Sequence, residues 1–126
     1  MKRLALVLAL GFAPLPLLAA DLVMVEQAGC HWCAQWNAEI SHIYPNTDEG
    51  RRAPLRRVDL RDLPDDIEFT SRPVFTPTFV LIEDGQELAR MEGYAGDQFF
   101  WFLLGRMLDE NGVAPASETS DDPDAQ

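Results

Sequence analysis

Short apolar runs and stretches of helical spacing alternate along this chain. Leu22 to Gln27 is apolar and rich in β-branched residues, which predicts a buried strand. From Cys30 the period changes. Trp36, Ile40, Ile43 and Tyr44 recur at intervals of three and four, predicting a helix from about Cys30 to Tyr44 that Pro45 halts. Residues 45–54 read as a loop. Residues 54–60 predict a second strand, with Leu55, Val58 and Leu60 as its apolar positions. A short helix is expected over 63–71, where Pro64 falls in the first turn and acids favour the N-terminal end. Residues 76–82 predict a third strand, 83–86 a hairpin turn around Gly85, and 87–93 a fourth strand. The last helix should run from Asp97 to about Glu110, capped by Gly96 or Asp97 and stopped at Asn111–Gly112. Phe100, Leu103, Leu104, Met107 and Leu108 form its core stripe by spacing, and Phe102 projects opposite them.

The order strand, helix, strand, helix, strand, strand, helix implies an α/β fold. Its start favours a parallel pair of strands joined by a right-handed crossover, and the later hairpin must be antiparallel. The expected architecture is a mixed four-stranded sheet with helices on both faces.

The N-terminus changes the length of chain that has to fold. Lys2 and Arg3 precede an apolar run from Leu4 to Leu18, followed by Ala19, Ala20 and the first acid, Asp21. This is the layout of a cleavable secretory signal over residues 1–20, cut after Ala20. The run is short for a membrane span and two prolines interrupt it. The mature protein is then expected to be exported, with one small domain over residues 21–113. Residues 114–126 have no large apolar side chain and four acids, and read as a disordered acidic tail.

Charge excludes one class of partner. The chain has ten Lys and Arg against 21 Asp and Glu, and without Lys2 and Arg3 its formal charge falls from −11 to −13. Phosphate repels so acidic a protein, so no nucleic-acid partner is expected. The eight remaining basic residues are all arginines, five of them between Arg51 and Arg61, and this cluster reads as a solvated edge strand and loop.

The chain has two cysteines, Cys30 and Cys33, in the stretch CHWC. In an oxidising compartment such a pair tends to join as a disulfide. A bridge enclosing two residues restricts the unfolded chain little, so it would be a weak staple. Three readings stand: a clip, a metal grip and an electron-exchanging pair. Residues three apart on a helix are neighbours, close enough for the sulfurs to bond. Cys30 would sit at a helix start, where unpaired N–H groups and the dipole favour thiolate over thiol. Cys33, one turn in, should be more buried. That asymmetry suits exchange, with Cys30 attacking a partner disulfide and Cys33 resolving the mixed disulfide. His31 is placed to add positive charge beside Cys30, and Trp32 to offer an apolar contact to a docking protein. For metal, Cys30, Cys33, His31 and His42 match a zinc inventory. His42, however, lies nine residues beyond Cys33, ~13 Å along the same helix and on its opposite face, and reads as a surface histidine. Three ligands with water, or a copper ion held by the thiolates, remain as a non-enzymatic carrier.

These features together resemble the thioredoxin superfamily, over nearly the whole stretch from Leu22 to about Leu108. The residues that carry the resemblance are CHWC after the first strand, TPTFVL opening the third, and EDGQELARMEGYAG before the last helix. The resemblance implies a thioredoxin-like fold, thiol–disulfide oxidoreductase activity at Cys30 and Cys33, and no cofactor besides that redox-active disulfide. It also implies a cis Pro77 lying against the cysteines and presenting the backbone of Thr76 to a substrate segment. The stretches LVMVEQAGCHWCAQWNAEI and YPNTDEGRRAPLRRVDL are similar, more narrowly, to small periplasmic thioredoxin-like proteins encoded with bacterial sulfur-oxidation (Sox) systems. That likeness implies a periplasmic reductant for a cysteine of the sulfur-carrier complex, recharged by a membrane thiol-electron transporter. A thiol oxidase and a disulfide isomerase use the same scaffold. The dipeptide His31-Trp32 is neither of the pairs typical of thioredoxins or of strong periplasmic oxidants. The buried acid of thioredoxins, six residues before the first cysteine, is replaced by Met24, and Glu26 stands in phase with it as a candidate for proton transfer.

Overall fold

The structure is a computed structural model, and it describes Gly11 and residues 19–115. The leader expected over 1–20 and the tail expected over 114–126 lie almost wholly outside the described residues. Among those residues no helix is long and apolar enough to cross a membrane.

Strand β1 (Ala20–Glu26) is central because it is buried on both faces, as its unbroken apolar run requires. It pairs in parallel with β2 (Leu55–Asp59) and antiparallel with β3 (Thr78–Glu83), and β3 pairs antiparallel with β4 (Gln86–Glu92). The sheet order is β2-β1-β3-β4, the mixed four-stranded sheet expected. The β3–β4 turn holds Asp84 and Gly85 at φ 51° and 73°, the left-handed pair that a tight hairpin needs. Gly85 is also close-packed: a Cβ there would lie 2.9 Å from the Asp66 carbonyl oxygen.

The helical segments depart from expectation in three places. The first helix begins on time, as α1 (His31–Trp36), but passes into a π-helical turn at Asn37–Ser41 and ends in a 3₁₀ turn at Tyr44–Asn46 that contains Pro45. Ile43, one of the apolar positions whose spacing predicted the helix, is exposed. The stretch read as a loop contains a short helix, α2 (Asp48–Arg52), whose start is capped by Thr47 Oγ1 accepting from the Gly50 N–H at 3.0 Å.

The helix expected over 63–71 does not form. Glu68 donates its N–H to the Gly85 carbonyl at 2.7 Å and accepts from the Glu87 N–H at 3.1 Å, so its backbone is committed to the hairpin. The Arg56 guanidinium grips Asp66 through two hydrogen bonds, 2.7 and 2.8 Å, and anchors the segment further. Helices therefore cover one face of the sheet, and this irregular crossing covers the other.

Each face has its own core. On the helical face Leu22, Met24, Phe79 and Leu81 meet Trp36, Ile40 and Tyr44. The final helix α3 (Asp97–Glu110) adds Phe100, Leu104, Met107 and Leu108 to that face. Leu103, expected in this stripe, is 38% exposed, and Phe102 points outward as expected. On the opposite face Val23, Val25, Val80 and Ile82 pack against Val58 and Ile67.

Gly50 sits where α2 crosses the end of the first helical segment. A Cβ there would lie 1.8 Å from the Tyr44 carbonyl oxygen and 2.8 Å from its carbon, backbone atoms that cannot rotate away. Gly50→Ala is therefore expected to destabilise the fold by about 2 kcal/mol or more in urea unfolding. Gly105, inside α3 with nothing within 4 Å of an added Cβ, provides the contrast. Its alanine variant should gain about 0.5 kcal/mol.

Candidate functional site

The end of β1 delivers the chain into a turn at 27–30, and α1 starts directly after it. Cys30 is the N-cap of α1, and its Sγ accepts from the Cys33 N–H at 3.1 Å. Cys30 and Cys33 are joined by a disulfide, with their Cα atoms 5.2 Å apart. Cys33 is 4% exposed and belongs to the core, whereas Cys30 is half-buried at its edge. The two sulfurs are thus unequal in the sense the spacing suggested. His31 is exposed, its ring edge-on to Trp32 with centroids 5.0 Å apart, and Trp32 itself is 51% exposed.

The Thr76–Pro77 peptide bond is cis, and it precedes β3 in the loop facing the end of β1. Thr76 Oγ1 accepts from Gln27 Nε2 at 3.0 Å, which ties this loop to the turn bearing the cysteines. Pro77 is buried, and its carbonyl accepts from the Gly93 N–H at 2.7 Å. Val74 and Phe75, just before it, are exposed.

Two cavities flank the disulfide. One of about 460 Å³ is lined by Glu26, Gln27, Cys30, His31, Cys33 and Asn37, so Glu26 and Cys33 border the same space. An apolar one of about 350 Å³ begins at Trp32 and runs to the β4–α3 loop and α3. Among the described residues no three His, Cys, Asp or Glu side chains come together as metal ligands, and His42 lies exposed beyond the π turn.

Three side chains matter here that sequence reasoning passed over. Arg57, assigned to the solvated cluster, reaches from β2 across Met24 to this site. It donates to Glu26 Oε2 at 2.5 Å, to Asn37 Oδ1 at 2.9 Å and to Ser41 Oγ at 2.8 Å, and its guanidinium stands 5.7 Å from the centre of the Trp36 ring. The one clue was its place opposite Met24 in the parallel register, which needs the strand pairing to be known. The other two are Tyr94 and Glu39. The Tyr94 hydroxyl donates to Glu39 Oε2, linking the β4–α3 loop to the π turn behind Cys33. Hydrogen bonds from Tyr94 and Gln35 hold the Glu39 carboxyl below its ordinary range. Burial, followed by the bond to Glu39 and the charges of Glu39 and Asp97, pushes the Tyr94 phenol up.

A cysteine pair that closes and opens at a helix start can pass two electrons to or from the sulfurs of another protein. That is the chemistry of a thiol–disulfide oxidoreductase. No family model and no curated protein matches this sequence. Among solved structures the chain is similar to the periplasmic thioredoxin SoxS of Paracoccus pantotrophus in its reduced form. The two share 49% identity over 72% of this chain and 97% of that one, with a TM-score of 0.70. The thioredoxin of Malassezia sympodialis, 15% identical over 71% of this chain and 77% of its own with a TM-score of 0.52, shares the fold. The chain belongs to the thioredoxin family.

Proposed function

We propose that this protein is a periplasmic disulfide reductase, in which Cys30 attacks a disulfide-bonded cysteine of a partner protein and Cys33 releases the product. The observation that carries the reading is the hydrogen bond from the Cys33 N–H to Cys30 Sγ. A donor held there favours negative charge on the Cys30 sulfur once the bridge opens. In the first step the Cys30 thiolate attacks one partner sulfur. A Cys30–partner disulfide forms, and the other partner sulfur leaves as a thiolate that takes up a proton. Cys33 then loses its proton and attacks Cys30 Sγ. The first partner sulfur leaves as a thiol after protonation, and two electrons have passed from this protein to its substrate. Glu26, which lines the same cavity as Cys33, is the candidate acceptor for that proton, steered by Arg57.

Around this centre His31 supplies polar contact at the cavity rim, Trp32 an apolar face, and Thr76 with Pro77 the backbone edge along which a substrate segment lies. No cofactor besides the Cys30–Cys33 disulfide is required. The likeness to a periplasmic thioredoxin supports export through the leader at 1–20 and a periplasmic site of action. It supports as partners the sulfur-carrier complex of a Sox system and a membrane thiol-electron transporter that restores the dithiol. Residues 21–113 would then be the working domain and 114–126 its acidic tail.

Direction is a matter of reduction potential. Titration of the Cys30–Cys33 couple against glutathione is expected to give a value near that of thioredoxin, about −270 mV. A value near about −120 mV would make the protein an oxidant.

A further inference from the structure

Glu87 and Arg90 reach from β4 to the irregular crossing. The Glu87 side chain is 5% exposed, whereas the other acids in ion pairs among the described residues are at least 31% exposed. Its carboxylate accepts from Arg90 Nε at 2.5 Å and from Arg90 Nη2 at 2.7 Å, a two-pronged grip. Burial opposes the charge, yet the bonds from Arg90 and Thr70 hold the Glu87 carboxyl below its ordinary range. Desolvation offsets much of the attraction in a buried pair, so stability alone is a weak reason for one. Geometry is a better reason here, because both partners also hold backbone.

Glu87 Oε2 accepts from the Thr70 N–H at 2.9 Å, and Arg90 Nη2 donates to the Ser71 carbonyl at 2.6 Å. Glu68 is bonded to the hairpin through both its N–H and its carbonyl. Residues 68, 70 and 71 are thus tied to β4 and its turn. Only residues 72–75 separate this anchor from Thr76. At the far end of that span the Phe75 carbonyl accepts from Thr78 Oγ1 at 2.7 Å, and Thr76 Oγ1 accepts from Gln27. A span of four residues that includes the buried Pro73 has little slack, so a shift at Ser71 reaches Thr76. Neither Glu87 nor Arg90 lines either cavity beside the disulfide.

We propose that Glu87 and Arg90 are positioning residues for polypeptide substrates: by fixing Thr70 and Ser71 they place the loop 72–76, against whose backbone edge the substrate segment lies. The pair governs how tightly an extended segment is held and leaves the sulfur chemistry unchanged. The proposal rests on the exchange reading above and adds to it what sets substrate affinity.

Two thionitrobenzoate mixed disulfides test it, one of an extended cysteine peptide and one of 2-mercaptoethanol, which has no backbone to pair. The Cys30 thiolate of the pre-reduced protein attacks the peptide or mercaptoethanol sulfur and expels thionitrobenzoate, whose absorbance gives the rate. Cys33 then displaces the bound group as its thiol and closes the bridge. Arg90→Lys keeps a cation beside Glu87 but cannot span Glu87 and Ser71 together. Its half-saturating peptide concentration should rise about fivefold, with the limiting rate within about twofold and the mercaptoethanol rate unchanged. Glu87→Ala should raise it at least as far, and Glu87→Gln, whose amide oxygen can still accept from Thr70, should recover part of the loss. Arg90→Lys leaves the buried charge paired and carries the test if Glu87→Ala does not fold. Unchanged half-saturation in variants with native circular dichroism would overturn the proposal. Equal losses with both compounds would also overturn it, since the pair would then support only the fold. Release of thionitrobenzoate from neither compound by the native protein would sink the exchange reading itself.

Discussion

Cys30→Ser is expected to abolish disulfide exchange, by at least about a thousandfold in rate, because serine offers no comparable nucleophile near neutral pH. Cys33→Ser should behave differently. The attacking sulfur is still present and the residue 33 N–H is still there to stabilise it, so the first step should proceed within a few-fold of the native rate. Turnover should nevertheless stop after one equivalent, since nothing remains to displace the partner from Cys30. Stopped-flow reduction of a model disulfide separates the two cases: no reaction for Cys30→Ser, a single burst for Cys33→Ser. The reverse assignment of burst and silence would mean that attacking and resolving sulfurs had been exchanged. Burial argues against that, since Cys33 is 4% exposed and packed in the core.

The second large effect concerns stability. Trp36 is fully buried, with its ring centroid 5.3 Å from Phe79, 5.7 Å from Phe100 and 6.2 Å from Tyr44. It joins β3, α3 and the helical segment behind the cysteines. Trp36→Ala should cost about 3–5 kcal/mol, a large part of the ~5–15 kcal/mol that holds a small domain. The indole Nε1 has no hydrogen-bond partner among the described residues, and deleting that buried donor offsets part of the loss. Trp36→Phe removes the same donor while keeping most of the packing, so it should cost under about 2 kcal/mol. Urea unfolding of the two oxidised variants, followed by circular dichroism, measures both numbers. Similar midpoints for alanine and phenylalanine would show that the aromatic cluster does not hold the domain together.

What the sequence disclosed follows from which forces act locally. The four strands, the Asp84–Gly85 hairpin and α3 are written in spacing and turn chemistry, and the structure carries them within a residue or two. The closeness of Cys30 and Cys33, the exposed Trp32 and the cis bond before Pro77 were legible because a short motif, a family likeness and a strand start pointed to them. The helix expected over 63–71 failed because its backbone is claimed from outside, by Gly85 and Glu87 of the hairpin. The short helix at Asp48–Arg52 was hidden by the glycine within it, which the packing requires because a Cβ there would collide with the Tyr44 carbonyl. Leu103 obeys the core period of α3 but meets the apolar cavity beside Trp32 instead of a packing partner. Arg57 and Tyr94 act across β2–α1 and across the β4–α3 loop, through contacts that exist only once the sheet has assembled.

The most direct test of the central claim, that Cys30 joins covalently to a partner protein, is capture by Cys33→Ser in the periplasm followed by mass analysis under non-reducing conditions. A reductant-sensitive adduct should accumulate, linked through Cys30, to a protein with a solvent-reachable cysteine, the proposed partner being the sulfur-carrier complex. A collection of unrelated secreted proteins would retain the exchange chemistry and remove the dedicated partner. No adduct at all, with Cys30 shown to be alkylated rapidly in the same preparation, would contradict the account.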